Sequence, residues 1–550
     1  MSFMQTLGEA FSGLRQRMFF GTQPYEAQRY DSREMAGWTP SLTSGTDENL
    51  DARDAVTRRA RDLVRNHPII SGATDRRAES VVGSNIRLET QPAFESMGQS
   101  PDWADEWSQN TEQHFELWAR DPRKLCDAQM HLQFGGMVEL AYRHWWNDGE
   151  AAAVIKMLPP VGPRVLAQWE TCLEVVDPDR VSNPNGLPDH HKLSNGRTLI
   201  GGIEYDRNGA PLAAHVRVAH PSSNNGGTLD SFRWTRVPFY GPTGRPIFVH
   251  AFKRNRADQR RGISRFVSAI KRIKMFDRFD DAELEAALLN AIMAVSIESA
   301  APTAEVAAAM APTSGKQETQ LPEHFRYRMD HPVRMQGVRV FHGLPGEKME
   351  FKRSEHPSQN YPEFQATGLR SMAASLGLSY AQISQNWADI NYSSARAMLN
   401  EIWRGLLHDR WLFTQGFCTP IYLAWLEEAV AKGIIQVPGR KTNFYKYRNA
   451  LSLCEWIGPG RGSVDPLKEG QADDFRLNQG ATDLTTMSNE SGKDYRKTLR
   501  NQAREKKYRE QMGLEPYMPL KAGAGHTSAP EAYPEGNAQV DPVESEGQSA

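Results

Sequence analysis

A helical pattern of roughly 35 residues sets the scale of what this chain can build, because at 1.5 Å per residue it would run about 50 Å. It is ISRFVSAIKRIKMFDRFDDAELEAALLNAIMAVSIE, Ile263 to Glu298. A compact domain rarely holds one helix of that length. The pattern is also asymmetric in charge. Lys253, Arg254, Arg256, Arg260, Arg261, Arg265, Lys271, Arg272 and Lys274 fill its approach and first third, while Asp277, Asp280, Asp281, Glu283 and Glu285 occupy its middle. The plain reading is a solvated helix with paired charges on its outer face.

A chain of 550 residues exceeds one hydrophobic core, so roughly three or four domain-sized pieces are expected. Hydrophobic residues make up 39% and mean hydropathy is −0.61, which calls for solvated tails, long loops or large polar interfaces. Lys plus Arg at 65 against Asp plus Glu at 67 leave a formal charge of −2. Tight nucleic-acid binding by the whole surface is therefore not expected, and any DNA contact is local or weak. Cys126, Cys172, Cys418 and Cys454 form no CxxC pair, which argues against zinc and for reduced structural thiols in a cytosolic product. Gln5, Glu9, Arg15 and Arg17 interrupt the apolar residues of the first segment, so no signal peptide is expected. No apolar run approaches the roughly 18 residues of a membrane span.

The first 50 residues or so are polar and read as an extended arm. Helices are expected over Asn49 to Asn66, stopped by Pro68, and over Thr74 to Ile86, with two more between Trp103 and Trp146. From Glu150 to His250, short alternating runs broken by Asp-Pro, Asn-Pro and Asn-Gly read as a β-rich region, with YDRNGAPLAAHV as a strand, turn, strand unit. Lys446 to Asp465 is mixed. Two or three polar helices follow, and the last 30 residues, small, polar and acidic, are expected to be disordered.

Chemistry has no visible carrier. MAPTSGKQ lacks the upstream glycine and the Ser or Thr of a phosphate-binding loop, and GPGRGS, Gly458 to Ser463, reads as a plain loop. Asp189, His190 and His191 are adjacent, so a strand would point the two imidazoles to opposite faces. No HExxH or GxSxG occurs, and Asp280 and Asp281 lie in a charged helix. No catalytic residue, metal site or cofactor is expected.

One stretch resists a plain label. SQNWADINYSS, from Ser384, lies between a helical pattern through Leu369, Met372, Ala373 and Leu376, ended by Gly377, and a second through Ala395, Met398, Leu399, Ile402, Trp403, Leu406 and Leu407. Ser393 or Ser394 is the expected N-cap of the second, and helical patterns continue to Ala431. The loop is either a surface turn whose Trp387 packs back on the core or a functional projection.

In order along the chain, RARDLVRNHPIISGATDRRAESVVGSNIRL, DGEAAAVI, EVVDPDRVSNP, GGIEYDRNGAPLAAHV, HAFKRNRADQRRGISRFVSAI, LPGEKMEF, ASLGLSYAQISQNWADINYSSARAMLNEIWR and SGKDYRKTLRNQAREKKYREQMGL resemble the lambda-like portal (head-tail connector) family of tailed bacteriophages. The resemblance covers nearly the whole chain. It implies an α+β portal fold with wing, stem, clip and crown, closed into a ring around an axial channel. It divides the chain into an arm (1–50), wing (51–262), stem helix (263–300), clip (301–360), returning stem helix (361–383), tunnel loop (384–393), long helix and wing (394–465), helical crown (466–514) and disordered acidic tail (515–550).

The function implied is a channel at one capsid vertex through which terminase packages double-stranded DNA and through which DNA is later ejected. Implied partners are further copies of the chain (a dodecamer in virions), sequence-independent and weakly held double-stranded DNA, the terminase large subunit, a head-tail adaptor, and the major capsid and scaffold proteins, with no membrane. The location implied is the virion, after assembly in the host cytoplasm. By family position Ser384, Gln385, Asn386, Trp387, Asp389 and Asn391 form the tunnel loop facing DNA. The basic run from Lys253 to Lys274 stays open as a DNA-facing belt, a terminase-docking surface or charges paired between subunits. Two other classes remain in play: a DNA-processing packaging enzyme (ATPase or nuclease), and a capsid adaptor without a channel.

Overall fold

A computed structural model describes residues 33, 35, 37–84, 86–223, 229–291, 295–298, 348–351, 361–386, 392–462 and 465–514. Most of the arm, nearly all of the clip, the 387–391 part of the tunnel loop and the whole acidic tail lie outside the described residues. The chain divides into two compact units, one ending at Pro459 and one starting at Gly460. Among the described residues no helix is long and apolar enough to cross a membrane.

The first unit opens with α1 (Gly45–Asn66), whose N-cap Ser44 accepts from the Asp47 amide, so the helix starts four residues before the expected Asn49. Pro68 does not leave a gap after it. It takes the first position of α2 (Pro68–Val81), where its missing N–H costs nothing, and the His67 ring accepts from the Ile70 amide. β1 (Arg87–Thr90), α3 (Pro101–Ala119) and α4 (Phe134–Asn147) follow.

The β-rich region holds two antiparallel sheets. β2 (Glu150–Met157), β3 (Thr171–Val176) and β9 (Phe248–Phe252) form the first in the order β3-β2-β9. The second runs β4-β5-β6-β7-β8 through β4 (His191–Lys192), β5 (Thr198–Ile200), β6 (Ile203–Tyr205), β7 (Pro211–Arg217) and β8 (Trp234–Pro238). The expected Asn-Gly hairpin joins β6 and β7: Gly209 takes φ +82° and Asp206 accepts from the amides of Asn208 and Ala210.

The 35-residue helix is shorter than its pattern. α5 spans Ile270–Ala291, 22 residues. Before it, the chain from Gly262 follows tight turns, because Gly149, at φ +95°, lies so close to Ile263 that a Cβ would sit 2.1 Å from its carbonyl carbon. After it, β10 (Val295–Glu298) pairs antiparallel with β11 (Lys348–Phe351). Periodicity alone did not separate a helix from a helix flanked by a turn and a strand.

α6 (Tyr361–Leu376) and the short α7 (Tyr380–Ser384) lead to α8 (Tyr392–Ala431), 40 residues long and beginning just before the expected cap at Ser393 or Ser394. α9 (Asn443–Leu451) and β12 (Cys454–Ile457), paired with β1, close the unit. The second half of α8 is the spine of the core, with Phe413, Phe417, Ile421, Tyr422, Trp425 and Leu426 all buried. Gly416 lets it approach β9, where a Cβ would stand 3.2 Å from that of Ala251. The Phe115 ring of α3 meets Trp118, Phe134, Tyr422, Trp425 and Trp456 at 5.2 to 6.0 Å. A buried side chain such as Phe417 contributes about 1.5–3 kcal/mol over its exposed state.

In the second unit, α10 (Pro466–Asn478), α11 (Leu484–Glu490) and α12 (Tyr495–Gln511) are the expected polar helices, each capped by an Asp: Asp465, Asp483 and Asp494.

Candidate functional site

α5 and α6 form an antiparallel pair. Phe276 stacks on Phe364 at 6.2 Å, Phe279 meets Phe364 at 4.6 Å and Tyr361 at 6.1 Å, and the Tyr361 hydroxyl donates to Asp280 at 3.0 Å. Residue numbers rise on one helix as they fall on the other. Gly368 sets the closest approach, since a Cβ there would lie 2.2 Å from the Phe276 ring.

A second, short helix separates α6 from the polar loop. Gly377, at φ +63°, ends α6. Then Ser379 and Gln382 form a capping box that starts α7, a signal visible in the sequence as Ser-x-x-Gln. Gln385, at φ +56°, ends α7 and donates to the Gln382 carbonyl at 2.8 Å, and Ser384 Oγ accepts from the Asn386 amide at 3.2 Å. Gln385 and Asn386 are exposed. Trp387, Asp389 and Asn391 lie outside the described residues.

The basic run does not form one belt. Arg261 is 2% exposed and donates to both carboxylate oxygens of Glu150 and to the Val181 and Gly201 carbonyls. Glu150, 1% exposed, also receives Arg53 at 3.0 Å, His250 at 2.9 Å and the Gly262 amide at 3.0 Å. Burial alone would raise the Glu150 pKa, but the charges of Arg261 and Arg53 and the bonds from Arg261 and His250 hold it well below the usual carboxylate range. Burial pushes the His250 pKa down. This hub fastens α1, β2, β9 and the 253–265 segment at the approach to α5.

Arg265 stacks on Trp145 at 4.9 Å and donates to Asp409 at 3.0 Å. Arg260 donates to the Gly209 carbonyl at 2.7 Å and lies over the Tyr205 ring. Arg256 pairs with Glu48 at 2.8 Å, Lys274 with Asp277 at 3.5 Å, Arg254 lies over Phe252, and burial beside Arg265 lowers the Lys253 pKa. Lys271 and Arg272 are exposed. Arg261 is buried and Arg265 half-buried, each against a carboxylate of the same chain. What remains accessible is Arg254, Arg256, Lys271, Arg272 and Lys274.

Asp409, buried on α8, also receives Arg77 of α2, and Arg77 donates to the Gly377 carbonyl at 3.2 Å. One carboxylate thus ties the approach to α5, α2, α8 and the turn ahead of the polar loop. Nothing in the sequence flagged this set. The available signal was acidic residues next to apolar ones, as in Glu150 ahead of AAAVI.

Among the described residues, Asp177, Asp179 and His220 are the one group near enough to hold a metal. Arg61 already donates to Asp177 at 2.9 Å, Asp179 at 2.7 Å and Asp148 at 2.8 Å, so a guanidinium occupies that charge. The Asp189-His190-His191 triplet disperses: Asp189 accepts from the Gly201 amide at 2.6 Å and His190 contacts Asp47 at 2.6 Å. The Cys126 thiol is pushed up to about 12, and Cys172 and Cys454 to about 11, by burial.

A family model described as phage portal protein, lambda family, matches residues 31–410, and the chain belongs to that family, whose members are structural. It is 29% identical over 497 residues to the portal protein of Escherichia phage N15, covering 88% of this chain and 89% of that protein. Against portal protein B of Escherichia phage lambda it is 29% identical over 499 residues, with the same coverage, 88% and 89%. A probable portal protein of Halomonas phage phiHAP-1 is 22% identical over 447 residues, covering 79% and 77%. Among solved structures, the neck of a native gene transfer agent particle computed with C12 symmetry matches at 14% identity and TM-score 0.38, covering 85% of this chain and 99% of that one.

Proposed function

We propose that this portal protein assembles into a closed ring around an axial channel at one capsid vertex. Terminase packages double-stranded DNA through that channel, DNA later leaves by it, and the head-tail adaptor attaches to it. The observation that carries the ring is the α5/α6 pair. Its inner face is filled by Phe276 and Gly368, yet Met275 is 61%, Leu284 62% and Phe364 50% exposed. Two helices cannot shield each other on every side, and these residues suit neighbouring copies in a heterologous ring. Leu407 and Trp411, on the first half of α8, are likewise 39% and 59% exposed.

In this reading α5 and α6 are the stem, 301–360 the clip, 51–262 the wing with part of 394–465, 466–514 the crown and 1–50 the arm. The tunnel loop, Ser384 to Asn391, meets DNA through polar, sequence-independent contacts from Gln385, Asn386, Trp387 and Asp389. A net charge of −2 suits a conduit, since every cation on a channel repeats around the ring and many phosphate contacts would arrest the duplex. The virion is the place of action.

Native mass measurement with negative-stain imaging of the purified chain tests the ring: circular particles with a central hole are expected. Met275→Glu with Trp411→Glu should leave mainly monomers. A wild-type chain that stays monomeric at micromolar concentration would sink the proposal. Packaging and ejection at wild-type rates by Trp387→Ala and Asn386→Ala virions would remove the loop's role.

A further inference from the structure

The second unit carries a strongly basic surface. α10, α11 and α12 contain no buried residue, and α12 concentrates charge, with seven basic residues against two acidic ones, a surplus of five positive charges in 17 residues. Arg500, Arg504 and Lys507 stand at i, i+4 and i+7, one face of the helix. Arg504, Lys506 and Lys507 are exposed. An isolated helix of this length is marginal in water and gains its stability from what covers it.

The sequence that follows has the opposite character. Residues 515–550 contain six acidic residues against Lys521 alone, a surplus of five negative charges, and five of the six acids fall between Glu531 and Asp541–Glu546. The 16 residues before Glu531 can reach about 50 Å extended, twice the ~25 Å length of α12. The acidic stretch can therefore return along the whole helix. Tethered by the 19 residues between Gln511 and Glu531, it is present at an effective concentration of about millimolar.

We propose that the acidic segment 531–546 of this chain is the occupant of the basic face of α12. It neutralises Arg500, Arg504 and Lys507, with Lys506 further round the helix within reach of the same segment, and so keeps the helix from holding DNA phosphates. The contact is electrostatic and weakens with salt over the Debye length. Only its consequence for DNA rests on the conduit reading.

Zero-length carbodiimide crosslinking of the full chain tests the contact directly. At about 50 mM salt, Lys506 and Lys507 should couple to Glu531, Glu535 and Asp541, and the yield should fall severalfold by about 0.5 M. In a second arm, the full-length variant E531Q/E535Q/D541N/E544Q/E546Q should bind a 25-base-pair duplex about tenfold more tightly than wild type at low salt, with a steeper salt slope. Adding R504Q/K507Q should cancel that gain. Acidic-segment crosslinks that fall on Lys271 and Lys274 as often as on Lys506 and Lys507 would overturn the proposal. So would equal duplex affinity of wild type and the neutralised variant, which would make DNA the occupant. The crosslinking result does not depend on ring formation, so a chain that forms no rings would refute the conduit and leave this contact standing or falling by itself.

Discussion

Replacing Glu150 by Gln tests the hub beneath α5. In the native chain one carboxylate answers two guanidinium groups, Arg261 at 2% and Arg53 at 6% exposure, together with the His250 ring and the Gly262 amide. A Gln side chain keeps the shape but offers one acceptor oxygen and no charge, so Arg261 stays buried without a carboxylate and Arg53 keeps only the exposed Asp54, at 3.2 Å. Breaking a buried ion pair from one side costs about 3–5 kcal/mol, and E150Q should lie in that range. Urea unfolding followed by the fluorescence of buried Trp118, Trp145 and Trp425 measures it in the unit that contains the hub. The double variant E150Q/R261Q should lose less than the sum of the two single changes, because removing one cation relieves part of the imbalance. The pH dependence follows with a definite sign. Glu150 has its folded pKa below the ordinary 4.5, so its contribution is complete above about 4.5 and is lost as pH falls through the folded value. His250 has its folded pKa below the ordinary 6.5, so stability already declines as pH falls below about 6.5. H250Q should remove the earlier part of the decline and leave the later one. A loss of less than about 1 kcal/mol for E150Q would refute the reasoning that the ion pairs hold this junction.

Three further changes probe other links. Gly368→Ala places a methyl group 2.2 Å from the Phe276 ring and should cost about 1–3 kcal/mol, read as a lower urea midpoint, with Phe276→Leu partly rescuing it. Asp409→Asn leaves Arg77 and Arg265 without their shared carboxylate; a loss of about 3–5 kcal/mol and faster proteolysis near Gly377 are expected, and unchanged cleavage would separate the turn from this ion pair. Lys271→Ala and Arg272→Ala, at exposed positions, should change protomer stability by less than about 0.5 kcal/mol, so any packaging defect they cause reports contact with DNA or a partner.

The local signals carried much of the fold. The end of α1 ahead of Pro68, the Asn-Gly turn between β6 and β7, and the 3.6-residue spacing of α6 and α8 were legible, because each depends on residues within a few positions of one another, whereas the starts of α1 after Ser44 and of α2 at Pro68 fall before the expected Asn49 and Thr74. The ordered set of segments carried the family. Long-range geometry decided what those signals could not. α5 starts at Ile270 rather than Ile263, and Ile263 instead lies against Gly149, more than a hundred positions away. Basic residues that look alike along the chain divide by what folds over them: Arg261 and Arg265 meet Glu150 and Asp409, while Lys271 and Arg272 face outward. A charge in a sequence fixes only that a partner or water must answer it; which of the two does so depends on the distance and burial that the folded chain imposes.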